Sequence, residues 1–245
     1  MSIRSFYIVG IVLLSLGLLF EWSSEKRSAS IQKQLVLAGD QKGLDGADYV
    51  LIESSELVVV VATKTGAIVE TRLKKHPVEN VEGSLGFRVF GWSDESSFNY
   101  YFKSGFTNTS PNFALLEQGD GFVTLYDDVL DITKTISFLP SPYEISVYDR
   151  SSKGVNGKSF AGLYRTEGRA LDLKRDALSG GMMNNSSYEG VAISTESDPY
   201  ETSRLRSVDE PIEVLSRSGW VAFIQKYFFA AILGSDEYIY NYYVL

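Results

Sequence analysis

The chain contains no cysteine and a single histidine, and these two scarcities exclude a good deal of chemistry. Without thiols there is no disulfide framework, no thiolate metal site and no cysteine to carry a lipid. An oxidising compartment stays open, because a domain of this size can stand without covalent staples. His76 sits alone in Lys74-Lys75-His76-Pro77 at the end of an expected strand. No histidine metal cluster can be built from it, and a Ser-His-Asp arrangement would have to run entirely through this one residue. It reads as a surface histidine. Positive charge is also short: 23 Lys and Arg face 31 Asp and Glu, a net charge of -8. Phosphate backbones and anionic lipid surfaces would be repelled, so nucleic acid is excluded as a broad partner.

Phosphate-binding and metal-binding patterns are missing too. Gly157-Lys158-Ser159 ends like a phosphate loop, but the first glycine of G-x-x-x-x-G-K-[ST] would fall at Ser152. The segment also lies between two expected strands and not before a helix. Asp127, Asp128 and Asp131 are close enough in sequence to suggest acid–base work on a sugar, or a calcium site. No Asp/Gly calcium-loop pattern accompanies them, and they read as solvated turn residues. No catalytic, cofactor-binding or metal-binding residue is assigned, no cofactor is expected, and the chain does not read as an enzyme.

What is present begins with one uncharged apolar run, residues 6–20, FYIVGIVLLSLGLLF. At about 1.5 Å per residue it is short for a hydrocarbon core of roughly 30 Å. Extension over residues 5–24 restores the length and places Tyr7 and Trp22 at the interfaces. Arg4 and the amino terminus precede the run, which keeps the N-terminus cytoplasmic and sends the rest outward. Residues 1–24 are therefore expected to be a transmembrane anchor. A cleaved signal peptide is the competing reading, but its small-residue site, Ser28-Ala29-Ser30, lies behind Glu21, Glu25, Lys26 and Arg27. Residues 25–48 are polar and read as a linker. No second apolar stretch of about 20 residues follows.

Residues 49–245 carry a β pattern. A β-branched run at 57–62, then Lys64-Thr65-Gly66, then 67–73 predicts a hairpin. Residues 113–117 and 122–127 flank Gln118-Gly119-Asp120-Gly121 and predict another. Residues 131–138 alternate, with Ile132, Ile136 and Phe138 on one face. Pro140-Ser141-Pro142 turns the chain into a further strand at 144–150, and strands at 160–166 and 188–194 follow. Short strands with Gly and Pro turns indicate an all-β sandwich. One helix is expected at 219–231, where Trp220, Phe223, Ile224, Tyr227 and Phe228 stand at helical spacing on an apolar face. It would pack on a sheet or, if its aromatics were exposed, dock a membrane or partner. Strand character returns at 238–245, and a chain that stops inside it reads as truncated.

Two segments in this last third carry a resemblance. Tyr188-Glu189-Gly190-Val191-Ala192-Ile193-Ser194 precedes Gly219-Trp220-Val221-Ala222-Phe223-Ile224-Gln225-Lys226-Tyr227-Phe228. Together they resemble the Y-x-G-x-A-x-S and G-G-W-V-A-x-x-Q-x-Y-F segments of the periplasmic domain of YidC-type membrane protein insertases, with Ser218 in place of the first glycine. Lys134-Thr135 and Gly66-Ala67-Ile68-Val69 agree more loosely. The resemblance implies a β-supersandwich of galactose-mutarotase-like shape, hung in the periplasm of a bacterial inner membrane from the N-terminal helix. It also implies an accessory role in insertion and folding of membrane proteins, with Sec translocon accessory subunits and nascent membrane proteins as partners. Gly219, Trp220, Val221, Ala222, Gln225, Tyr227 and Phe228 are the motif residues it singles out, as a structural or docking helix. The insertase bundle of that family has no counterpart in the sequence. A carbohydrate-binding or mutarotase-like module is the rival, with a cleft lined by Trp92, Tyr100 or Tyr101; a single histidine argues against its catalytic form.

Overall fold

The computed structural model describes residues 49–77, 86–91, 98–167, 189–204, 212–225, 228–235 and 237–244. The expected anchor (1–24) and linker (25–48) lie outside them. Among the described residues every regular element is a strand, so the all-β expectation holds there.

The chain first lays down β1 (Tyr49–Glu53), β2 (Leu57–Ala62), β3 (Ala67–Pro77), β4 (Gly86–Phe90) and β5 (Phe98–Phe106). A meander follows: β6 (Ala114–Gly119), β7 (Phe122–Asp127), β8 (Ile132–Phe138) and β9 (Ile145–Ser151). Strand β10 (Ser159–Glu167) then returns beside β5, giving the first sheet the order β1-β2-β3-β5-β10 with β4 on β3. Both predicted hairpins form, as β2–β3 and β6–β7. The two sheets share one core: Val59, Val61 and Ile68 of the first meet Val123, Leu125, Ile132 and Ile136 of the meander. Strand β2 is buried along its whole length, which is why its sequence, Leu-Val-Val-Val-Val-Ala, does not alternate. Strands β4 and β5 carry mixed polar and aromatic residues, and β1 is a short run, Tyr-Val-Leu-Ile-Glu; none of the three was marked by periodicity.

The remainder forms a third sheet and a small ladder. After β11 (Glu189–Thr195) come β12 (Glu201–Arg204), β13 (Ile212–Ser216), β14 (Gly219–Gln225), β15 (Phe228–Leu233) and β16 (Tyr240–Val244). Their order is β12-β11-β14-β15, with β13 paired to β16. Here the expected helix at 219–231 is corrected: the segment is the β14–β15 hairpin. Its aromatics fit a helical period, but the residues between them are apolar as well. When both faces of a hairpin carry apolar side chains, neither period is diagnostic. Val221 and Phe223 face the core, while on the opposite face Ala222 is only 1% exposed. The β11 backbone then supplies a continuous ladder, from Glu189 opposite Gln225 to Thr195 opposite Gly219.

Asp127 also departs from its expected place as a solvated turn residue, since it is buried. Its Oδ1 accepts the backbone N–H of Val129 and of Leu130, each at 2.9 Å, and Oδ2 accepts that of Asn112 at 2.6 Å. One carboxylate thereby closes the β7–β8 turn and anchors the lead into β6. The bond from Leu130, helped by those from Asn112 and Val129, holds the carboxyl below the usual range against the opposing effect of burial. A carboxyl depressed in the folded state contributes stability that is complete above its unfolded value and lost as pH falls through the folded one. Urea titrations across pH 2–6 should therefore show a steeper acid loss below about pH 4 for the native chain than for Asp127→Ala. Parallel curves would show that this carboxylate does not drive acid unfolding.

Candidate interaction site

The motif segment is built around one glycine. Gly219 enters β14 with φ +140°, and a Cβ there would lie 2.1 Å from the Ser194 carbonyl oxygen. From this point the side chains alternate. Val221 joins Val191, Ile193 and Tyr242 in the second core cluster, and Phe223 meets the Tyr100 ring edge-on at 5.5 Å. Gln225 pairs through its backbone with Phe228, closing the hairpin; Tyr227 lies outside the described residues. Phe228 stacks on Phe87 of β4 at 4.0 Å and meets the His76 ring edge-on at 5.9 Å. The inward row thus joins the third sheet to the core of the first.

The outward row behaves differently. Register places Trp220 beside Leu233 and Ile224 beside Phe229, on the face opposite Val221 and Phe223. Trp220 is half-buried and its ring centroid lies 6.2 Å from that of Tyr200. Phe229 and Leu233 are 69% and 73% exposed. Apolar side chains that reach water from one strand are the features on which a docking role would rest, and the motif as read from the sequence ended at Phe228, before either of them.

A cleft of about 320 Å³ opens between the β1–β2 turn (Ser54, Ser55, Glu56) and the β8–β9 loop, residues 138–144. Tyr143 adopts φ +67°, a conformation rare for a bulky side chain. Its hydroxyl donates to Glu56 Oε2 at 3.2 Å, while Lys75 pairs with Oε1 of the same carboxylate. The Lys75 hydrogen bond is the main force holding the Glu56 carboxyl below its usual range, and the same bond raises Lys75. Burial, aided by Glu56, pushes the Tyr143 phenol up. His76 is exposed at the end of β3, as expected, with its ring 6.3 Å from Tyr143. Both carboxylate oxygens are already engaged and the charge is matched by Lys75, so this cluster serves to hold two rims together and offers no free base. The sequence signal for this loop was Pro140-Ser141-Pro142; nothing in it marked Tyr143.

The tyrosines expected to line a sugar cleft do not share a surface. Tyr100 points into the core at 8% exposure, whereas its neighbour Tyr101 stacks on Tyr164 at 5.1 Å. Trp92 lies outside the described residues. Among the described residues, no group of three His, Asp or Glu side chains could hold a metal ion.

Comparison with known proteins gives a match over nearly all of this β-rich region. A family model described as the YidC periplasmic domain covers residues 49–244. The membrane protein insertase YidC of Coxiella burnetii (strain RSA 493 / Nine Mile phase I) is 28% identical over 223 residues, covering 80% of this chain and 37% of that protein. The protein of the same name from Pseudomonas putida KT2440 is 26% identical over 208 residues, 75% of this chain and 36% of its own length. That from Azotobacter vinelandii is 24% identical over 210 residues, with 76% and 36% covered. The chain therefore spans little more than a third of the length of these relatives.

Proposed function

Since the chain belongs to the YidC periplasmic-domain family, we propose that it is the extracytoplasmic accessory part of a membrane protein insertase, acting by scaffolding and partner docking and not by catalysis. The observation that carries this reading is the family match over residues 49–244. In this reading residues 1–24 anchor the chain in a bacterial inner membrane, 25–48 form a linker, and the β domain faces the periplasm as a supersandwich. Its partners are nascent membrane proteins and the accessory subunits of the Sec translocon. The exposed side chains of β15 support the docking component, because two large apolar groups reach water from one strand.

A photo-crosslinking residue placed at Phe229 or Leu233 of the full chain in living cells tests the proposal. Pulse-labelling a polytopic inner-membrane protein should yield light-dependent adducts with that nascent chain or with a Sec accessory subunit. The same probe at Lys153, remote in sequence and exposed, should give none. Equal labelling at both positions, or none at either, would remove the docking role.

A further inference from the structure

Lys134 is a fully buried lysine in a row of aliphatic side chains. The alternation of β8 puts it on the core face between Ile132 and Ile136, at 0% exposure. Its Nζ donates to the Ser104 carbonyl oxygen at 3.0 Å and to Ser104 Oγ at 2.7 Å. Asp149, directly opposite Lys134 in the β8–β9 ladder, places Oδ1 2.7 Å from the same nitrogen. That contact is an ion pair outside hydrogen-bond alignment. The circuit closes through Ser104, whose hydroxyl donates to Asp149 Oδ2 at 2.5 Å.

Two sheets take part in this circuit. Lys134 and Asp149 belong to the meander, whereas Ser104 lies on β5 of the first sheet. The first sheet also encloses the lysine stem. Gly66, at the β2–β3 turn with φ +64°, lies so close that a Cβ would meet Lys134 Cδ at 2.5 Å. The Phe113 ring covers the ammonium at 6.0 Å. A Ser–Lys proton-transfer pair is a poor description, because the Ser104 hydroxyl is committed to Asp149 and the serine is 8% exposed.

We propose that Lys134, Asp149 and Ser104 form a polar key that selects a single seating of the meander on the first sheet. The contact between the two sheets is otherwise apolar, with Val59, Val61 and Ile68 against Val123, Leu125 and Ile136, and with Phe90, Tyr100 and Phe113 in the same core. Such surfaces pack acceptably in more than one register, since the hydrophobic effect is non-directional. A buried ammonium is satisfied in only one of them, where the Ser104 oxygens and the Asp149 carboxylate converge. Seating has a consequence at the surface, because the cleft takes Glu56 from the first sheet and Tyr143 from the loop after β8. The key is thus a positioning device for the two rims, and it stands independently of the accessory role proposed above.

The test is a charge-free replacement, Lys134→Met with Asp149→Leu and Ser104→Ala, made in the chain as it exists. The expected result is a urea midpoint equal to or above that of the native chain, together with lost uniqueness. Side-chain NMR signals of Tyr143 and the core methyls should broaden or double, the near-UV dichroism should weaken, and anilinonaphthalene sulfonate should bind. A triple variant with sharp, native-like spectra would overturn the proposal, because packing alone would then specify the seating. A triple variant that does not fold would overturn it too, since the charges would be needed for stability and not for selection. The milder Ser104→Ala variant should show exchange broadening confined to β5, β8 and the 138–144 loop; its absence counts against the key.

Discussion

Replacing Asp149 alone by leucine is expected to destabilise the domain by about 3–5 kcal/mol, the usual result of removing one partner from a buried ion pair. The lysine left behind cannot reach water, because its side chain is 0% exposed and is closed in by Gly66 and Phe113. Its two bonds to Ser104 remain, but no negative charge does. Lys134→Met should cost less, since the Asp149 side chain retains 11% exposure and the Ser104 hydroxyl. The pH dependence gives a second signature. Burial already pulls the Lys134 ammonium below its ordinary value, opposed by the charge of Asp149. Loss of that charge lowers it further, so the folded variant sheds a proton that its unfolded chain still holds. Stability rises with pH wherever the unfolded state binds more protons, so the deficit of Asp149→Leu should narrow as pH is raised from 7 towards the lysine range. Urea unfolding at several pH values measures both effects. A deficit below about 1 kcal/mol at pH 7 would mean that the ammonium finds water or another partner.

Gly219→Ala is the second large effect, about 3 kcal/mol or more, because two penalties coincide. The backbone lies at φ +140°, and the new methyl would press on the Ser194 carbonyl oxygen at 2.1 Å. Neither partner can yield cheaply. Gly219 pairs with Thr195 in the β11–β14 ladder, and its own carbonyl accepts the N–H of Gly234 at 3.0 Å. The end of β14 would have to open, loosening Trp220 and the start of the motif. A fall of several degrees in melting temperature is expected, with amide exchange accelerating first at Gly234, whose N–H is held by the Gly219 carbonyl. Alanine at Gly154 serves as the control: its φ of +76° is also left-handed, but nothing lies within 4 Å. Equal losses at both sites would leave backbone strain as the whole cause and remove the steric part of the argument.

Lys134 and the β14–β15 hairpin show where the sequence was legible and where it was not. The alternation of residues 131–138 was visible, and its parity placed Lys134 in the same row as Ile132 and Ile136. A charged residue in an aliphatic row was therefore a signal in the sequence, though its partners were not. Ser104 lies 30 residues upstream and Asp149 lies 15 downstream, and no local pattern ties three such positions together. In residues 219–231 the difficulty was the reverse. Apolar residues fill both faces, so helix and strand periods fit equally well, and pairing with β11 decided between them. Tyr143 illustrates a third kind of gap. The prolines announced a turn, but the tyrosine at φ +67° takes its hydrogen-bond partner, Glu56, from more than 80 residues away.

The sequence by itself determined the class of the fold, two of its hairpins and the family of the chain. Each of these rests on local periodicity, turn chemistry or a short motif. It also set limits on chemistry through the missing cysteines and the lone histidine. Tertiary structure alone decided that the motif is a strand hairpin joining two cores, that Lys134 closes a circuit between two sheets, and that Phe229 and Leu233 reach water. The physical reason is the same in each case. Burial, charge pairing and sheet neighbours are set by residues distant along the chain, and a strand's hydrogen bonds, unlike those of a helix, are made to another segment.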